Sequence, residues 1–315
     1  MRARIMMMSG GPAARQLALP VQEVLSDLAV AFGHSFVIKE EKIGEDSLLA
    51  YGSPMTQEAI EHSADCDAVL VLSGSSRGVD ALAAGLGCFL KTRIFEVPPM
   101  LAQHSLLKSS LQPSGTLATP LDPEEQAMRR AVDLVRDLMA EKWLPLREVP
   151  LGGMRRADWL QATDRFSVPQ EDRLYTLPQA LKVLVTEPAS MGMYFVSPGA
   201  YAALDSTARA LSGLYGMAPL CYLAEKPLVF GVDDLKDESQ DHHPFGVLRA
   251  VADMLEGALF LKREADCLRT ALDNVLNAGW RTADLSEPGL PTVTAEGICR
   301  LIQEQLSLVG ELMQR

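Results

Sequence analysis

Two glycines directly after an apolar run, Gly10 and Gly11 in "RIMMMSGGP", are the first residues whose type and position suggest chemistry. Amides exposed at such a turn can form a nest for an anion, although a plain strand-to-helix turn uses the same residues. The stretch "SGSSRG", Ser73 to Gly78, follows the apolar run "DAVLVL" and offers a similar cradle; it is neither a Walker loop nor a nucleophile elbow. Asp241, His242 and His243 are metal-ligand types, but adjacent side chains diverge in a helix or strand and no further ligand is evident, so a solvated loop is expected there. The five cysteines, Cys66, Cys88, Cys221, Cys267 and Cys299, are odd in number and never in CxxC spacing. That excludes a disulfide framework or zinc site as the first reading and fits reduced thiols in the cytoplasm. Cys221 has no base partner in sequence and reads as a small core residue.

The elements that must hold these residues alternate. "RIMMMSG" reads as a first strand, "VQEVLSDLAVAFG" as a helix closed by Gly33, and "HSFVIKEEKI" as a second strand. Thr56 is placed to cap a helix before "DAVLVLSG", a continuous apolar strand of the kind buried on both faces. From about Glu96 a Pro- and Ser-rich stretch marks a domain boundary. The helix "EEQAMRRAVDLVRDLMAEKW" follows, with Met128, Val132, Val135 and Met139 on one stripe. "ALKVLVTEP" reads as a buried strand, "AYAALDSTARALSGLYGMAP" as a helix and glycine-bearing turn, and residues 244–285 as two consecutive helices. The stretch "LNAGWRTADL" ends the second of these helices, with Gly279 closing it and Trp280 expected on the core.

With 315 residues and 48% hydrophobic content, the chain can bury one large or two ordinary cores. A net charge of -12 repels phosphate backbones and anionic membranes, so neither nucleic acid nor a membrane is an expected partner. The opening "MRARIMMMSGG" has too short an apolar core for a signal peptide or a membrane span.

Taken together, these segments resemble the isocitrate/isopropylmalate dehydrogenase family. "GEDSLLAYGSPMTQEAIEHSADCDAVLVLSG" is similar to that family's "GxxAxxxxGxPLPxxTLExxxxADAVLLGxxG", and "EEQAMRRAVDLVRDLM" to its "EEIERIARYAFELA" helix. "LVTEP" resembles its "VVTEN" strand, the "YGMAP" turn its GGLGLAP turn, and "LNAGWRTADL" its "GYRTxDL" ending, a scaffold element without chemistry. "TVTAEGICRLIQEQL" matches its last helix.

The resemblance implies an α/β fold: a doubly wound large domain from residues 1–94 and 214–315, with a smaller domain, 95–213, inserted between them. It implies oxidation of a 2-hydroxy acid by NAD(P) with decarboxylation assisted by magnesium or manganese, whose oxygen ligands, substrate arginines and lysine-tyrosine proton relay can be sought by position. The metal aspartates fall on Ala202 and Ser206, leaving adjacent Asp205 as the one metal candidate; otherwise it reads as solvent-facing or capping. The substrate arginines are matched only by Lys91 and Arg93 in "FLKTRIFEVPP". Gly10, Gly11, Ser75 and Ser76 are the cofactor-binding candidates, with Arg77 beside them. The region of the relay tyrosine contains none, "REVPLGGMRR" has no lysine in the lysine segment, and "MGMYF" with Tyr194 reads as a coincidence or local insertion. The adenine loop is shortened to the acidic "GVDDLKDESQDHHP".

The expectation is therefore a degenerate member, non-catalytic, with a structural, regulatory or small-ligand-binding role and no cofactor. The alternative is a divergent oxidoreductase using NAD(P) and magnesium or manganese. The helix of Met128, Val132, Val135 and Met139 and the helix of Ala203, Leu204, Ala208 and Leu211 compete for one small core, so one is expected to face a second chain. That chain would be another copy in a homodimer, or an active family member in a heteromer.

Overall fold

The computed structural model describes all residues except 74–75, 123–124, 143–144, 152–155, 167, 214–216, 226–227, 233–243 and 314–315. Its residues form two compact units, Met1–Gly87 with Pro219–Arg315, and Cys88–Ala218.

The first unit begins with β1 (Arg2–Ser9), α1 (Pro12–Phe32), β2 (Ser35–Lys42), α2 (Glu45–Tyr51), α3 (Gln57–Ala64), β3 (Ala68–Ser73) and α4 (Ser76–Gly85). β1 pairs in parallel with both β2 and β3, which explains why Ile5 to Met8 form an unbroken buried run rather than an alternating one. α1 starts at Pro12, whose missing N–H would be unpaired at that position anyway. It ends on Gly33, left-handed at φ 70°, whose N–H and that of His34 close the last turn. Thr56 caps α3 as its position predicts, its hydroxyl accepting from the Ala59 N–H.

The second unit holds β4 (Leu90–Phe95), β5 (Gly115–Pro120), α5 (Glu125–Lys142), β6 (Leu146–Val149), α6 (Arg156–Thr163), α7 (Gln170–Arg173), α8 (Leu177–Thr186), β7 (Gly192–Val196) and α9 (Pro198–Ser212). Its strands run in the order β4-β5-β7-β6, with β4 antiparallel to β5 and the other pairs parallel. Because β4 pairs with β5, the strand that carries Lys91 and Arg93 belongs to this unit.

The chain then returns to the first unit through β8 (Leu220–Leu223), β9 (Leu228–Gly231), α10 (Pro244–Gly257), α11 (Lys262–Asn277) and α12 (Ala295–Met313). β9 joins β3 in parallel and β8 joins β9 antiparallel, giving the order β2-β1-β3-β9-β8. Mostly parallel strands linked through helices make this an open α/β sheet of the doubly wound kind.

One sequence expectation is corrected. "ALKVLVTEP" is not a strand but α8: Thr176 and Gln179 form a reciprocal capping box, Pro178 sits in the first turn, and Ala180 and Leu184 recur at helical spacing on the buried side. The strand is β7, five residues later. "MGMYF" lies in this fully buried strand, between β5 and β6. Of the two apolar stripes, Met128, Val132 and Val135 of α5 and Leu204 and Ala208 of α9 are buried within the chain, while Met139, Ala203 and Leu211 are half-buried. α9 packs into the apolar cluster of Phe95, Leu117, Val149, Ala180, Leu184 and Tyr194.

Candidate functional site

β4 and α9 bring together three of the residues with functional potential. Lys91 and Arg93 are two apart on β4 and so point to one face. Lys91 places its ammonium 4.9 Å from the centre of the Tyr201 ring. Arg93, 1% exposed, sets its Nε 2.7 Å from Asp205 Oδ1, while its Nη1 donates to the Ala218 carbonyl at 2.6 Å. Asp205, 5% exposed, also meets Arg209 one turn on, with Oδ2 3.0 Å from Nη2. Asp205 is therefore neither solvent-facing nor a cap. It is the shared counter-charge of two guanidiniums, one on its own helix and one on the strand. Such a pair adds little net stability over apolar packing, but removing either partner strands a buried charge.

Ala202 and Ser206, the positions matched to metal aspartates, lie on the exposed side of α9, whereas Asp205 lies on the buried side. The two faces are distinct because residues four apart share a face and a one-residue offset turns the side chain by roughly 100°.

At the first turn, the Gly11 N–H donates to Asp46 Oδ2 at 2.8 Å, and Arg15 Nη1 lies 2.5 Å from the same oxygen. Gly11 is left-handed at φ 97°, which suits glycine, and α1 has no acidic residue in its own first turn. Asp46, carried in from α2, supplies that negative charge from outside the helix. Partial burial pushes its carboxyl up, but the Gly11 N–H, Arg15 and Lys42 outweigh burial and hold it below the usual carboxylate range. The amide offered by sequence to an anion nest thus binds a carboxylate of the same chain. Gly10 joins Gly11 in that turn, Ser76 opens α4, and Ser75 lies outside the described residues, as do Asp241, His242, His243 and most of the acidic loop.

A third polar centre surrounds β6. Arg147 donates from Nη1 to the carbonyls of Ser190 and Met191 at 2.8 and 2.7 Å. Glu148 is wholly buried: Oε2 accepts from Trp159 Nε1 at 2.9 Å, and Oε1 pairs with Arg173 Nε. Arg173 also donates to the carbonyls of Thr163 and Val168. Burial raises the Glu148 carboxyl, with Arg173, Trp159 and Thr163 pulling the other way. This network ties α6 and α7 to the strand, and Val149 completes the strand in the apolar core. Tyr194, on the neighbouring β7, is sealed: its hydroxyl donates to the Ala180 carbonyl at 3.2 Å, and burial pushes it up to about 12.

Asp46, Glu148, Arg173 and Arg209 were not marked as site residues by sequence. Their partners lie up to 35 positions away, and the one local hint, the i,i+4 spacing of Asp205 and Arg209, is common on any helix.

No protein-family model matches the chain. Curated proteins do: it is 23% identical to the 3-isopropylmalate dehydrogenase of Bacillus anthracis over 354 aligned positions, covering 98% of this chain and 99% of that protein. The 3-isopropylmalate dehydrogenase of Oleidesulfovibrio alaskensis is 21% identical over 359 positions, covering 97% and 100%. Among solved structures, a beta-decarboxylating dehydrogenase from Thermococcus kodakarensis superposes with a TM-score of 0.73 at 15% identity, over 99% of this chain and 97% of that one. A protein from Thermus thermophilus gives 0.79 at 14% identity, over 97% and 68%. The chain is a relative of the isocitrate/isopropylmalate dehydrogenase family. Its fold is the isopropylmalate dehydrogenase-like α/β fold, and the segment-by-segment likeness to that family extends over nearly the whole chain. The 354 positions aligned to the Bacillus protein against 315 residues leave at least 39 without a counterpart here. No described helix is long and apolar enough to cross a membrane.

Cys221, read from sequence as a small core residue, is half-buried. Cys66, Cys88, Cys267 and Cys299 are buried free thiols, and burial pushes Cys88 and Cys299 up to about 12, far from the thiolate range at neutral pH.

Proposed function

We propose that this chain is a non-catalytic relative of the isopropylmalate dehydrogenases, acting through structural, regulatory or ligand-binding contacts. The observation that carries this reading is the state of β6, the strand matched to the family's lysine segment. Its charged side chains, Arg147 and Glu148, are tied to internal partners, and Val149 is core. No lysine stands there to move a proton, and Tyr194 beside it is a buried donor to a backbone carbonyl. General acid-base catalysis needs a group within reach of substrate, and both Glu148 and Tyr194 are wholly buried on internal partners.

The rival reading, a divergent NAD(P)-dependent oxidoreductase acting on a 2-hydroxy acid, is favoured by the near-complete coverage of proteins named as dehydrogenases. Assays with isopropylmalate, isocitrate, malate and tartrate against both nicotinamide cofactors, with and without magnesium or manganese, separate the two. The non-catalytic reading expects no reduction above background, and NAD at millimolar concentration should leave the melting temperature unchanged. Saturable cofactor reduction at ordinary enzyme rates sinks it. Association, with another copy or with an active relative, is part of the same proposal. Light scattering of the chain alone and activity measured on mixing with an intact dehydrogenase test it.

A further inference from the structure

The divalent ion of the family's chemistry does not fit the residues on α9. Ala202 and Ser206 bring no carboxylate, and Asp205 lies on the other, buried face. Both Asp205 oxygens face guanidiniums, Oδ1 toward Arg93 and Oδ2 toward Arg209. Magnesium or manganese needs several hard oxygens in near-octahedral order. Among the described residues no group of three His, Cys, Asp or Glu side chains is placed to supply them. A doubly charged ion entering here would have to expel two positive groups from a carboxylate that is already neutralised.

We infer that Arg93 is the resident cation of Asp205, a permanent charge delivered from β4, so that the packing of β4 on α9 is independent of divalent ions. Arginine suits the role. It does not lose its proton, and its planar fork fixes it at two points, Asp205 through Nε and the Ala218 carbonyl through Nη1. Lysine, a single point charge, could not make both contacts with the same geometry. The inference concerns ion binding and not turnover, so it goes beyond the proposed function.

Manganese alone is the probe. Free Mn2+ is followed by electron paramagnetic resonance in the presence of wild type and Asp205→Asn, and melting temperatures are taken in chelator and in millimolar magnesium. The expected result is the same free-manganese signal for both proteins and the same wild-type melting temperature in both buffers. Arg93→Met should lower that temperature by about 10 °C, and Arg93→Lys by less. Stoichiometric uptake by wild type that Asp205→Asn abolishes overturns the inference, as does an Arg93→Met protein as stable as wild type. Should Asp205→Asn fail to fold, manganese broadening of the wild-type amide resonances from Ala202 to Ser206 decides: none supports the inference, selective broadening refutes it. Asp205-dependent manganese uptake without turnover would defeat this inference alone. Cofactor reduction without metal would defeat only the non-catalytic reading.

Discussion

Asp46 shows how a single side chain can close a site that its neighbours suggest. Its carboxylate completes α1 from outside the helix, receiving the Gly11 N–H and pairing with Arg15. Asp46→Asn should lower stability by about 1 kcal/mol, read as a shifted denaturant midpoint with unchanged slope. The sign with pH follows from the depressed carboxyl. In the folded state Asp46 titrates below its ordinary value of 3.8, so its contribution is complete above that value and is lost as pH falls through the lower folded one. The difference in stability between wild type and Asp46→Asn should therefore shrink only in acid below about pH 3.8. Arg281, in the stretch "LNAGWRTADL", makes the complementary case. It is buried, pairs with Glu287 at 2.8 Å, and donates to the carbonyls of Leu276 and Trp280, closing the end of α11. Arg281→Ala should cost about 3 kcal/mol by calorimetry, because it removes a buried guanidinium that pairs with Glu287 and donates to the Leu276 and Trp280 carbonyls. That this stretch is scaffold was legible from its helical spacing and its glycine. That the arginine is the cap was not, since nothing in the spacing distinguishes an inward from an outward arginine, and Trp280 is only half-buried beside it.

At the scale of elements, most of the fold could be read because long apolar runs and caps agree. β1, α1, β3 and α5 were all marked by period or by a closing residue. The failure at α8 has a physical cause. "ALKVLV" is apolar enough for either state, and the resemblance of "LVTEP" to a strand motif pulled the reading one way while the Thr176 capping box pulled the chain the other. Glycine positions carried another signal that only the structure could interpret. Gly213 ends α9 at φ 69°, and a Cβ there would lie 2.0 Å from the His104 carbonyl oxygen. Gly213→Ala should therefore cost at least about 2 kcal/mol, from backbone strain and from the displaced loop together, measurable by thermal unfolding. A result within experimental error of wild type would mean that the loop at His104 and Ser105 yields freely. It is held by Ser105 Oγ, which donates to the Leu211 carbonyl at 2.6 Å, so free movement is not expected.

For the whole molecule, the α/β fold class followed from the alternation of elements, and the family relation from the order of segments, whereas the site did not follow. The charged residues that sequence offered as ligands, Arg93 and Asp205, are each other's partners, a pairing that depends on β4 and α9 being stacked by the fold, 112 positions apart in the chain (205 less 93). The apolar stripe of α5 was equally ambiguous, since a buried face and a docking face have the same composition. Because Val135 is fully buried in its own chain, Val135→Asp should unfold the second unit, at a cost of about 4 kcal/mol or more, and not release a folded monomer. A folded variant of lower mass by light scattering would return that face to an interface. The central claim, that the chain does not turn over 2-hydroxy acids, is tested most directly by a single-turnover experiment. Protein is held in molar excess over isopropylmalate or isocitrate, with NAD or NADP and magnesium, and nicotinamide absorbance is followed for hours. The account predicts no reduced cofactor above the protein-free control. One equivalent of reduced cofactor per substrate, formed in proportion to protein and abolished by heat denaturation, would contradict it.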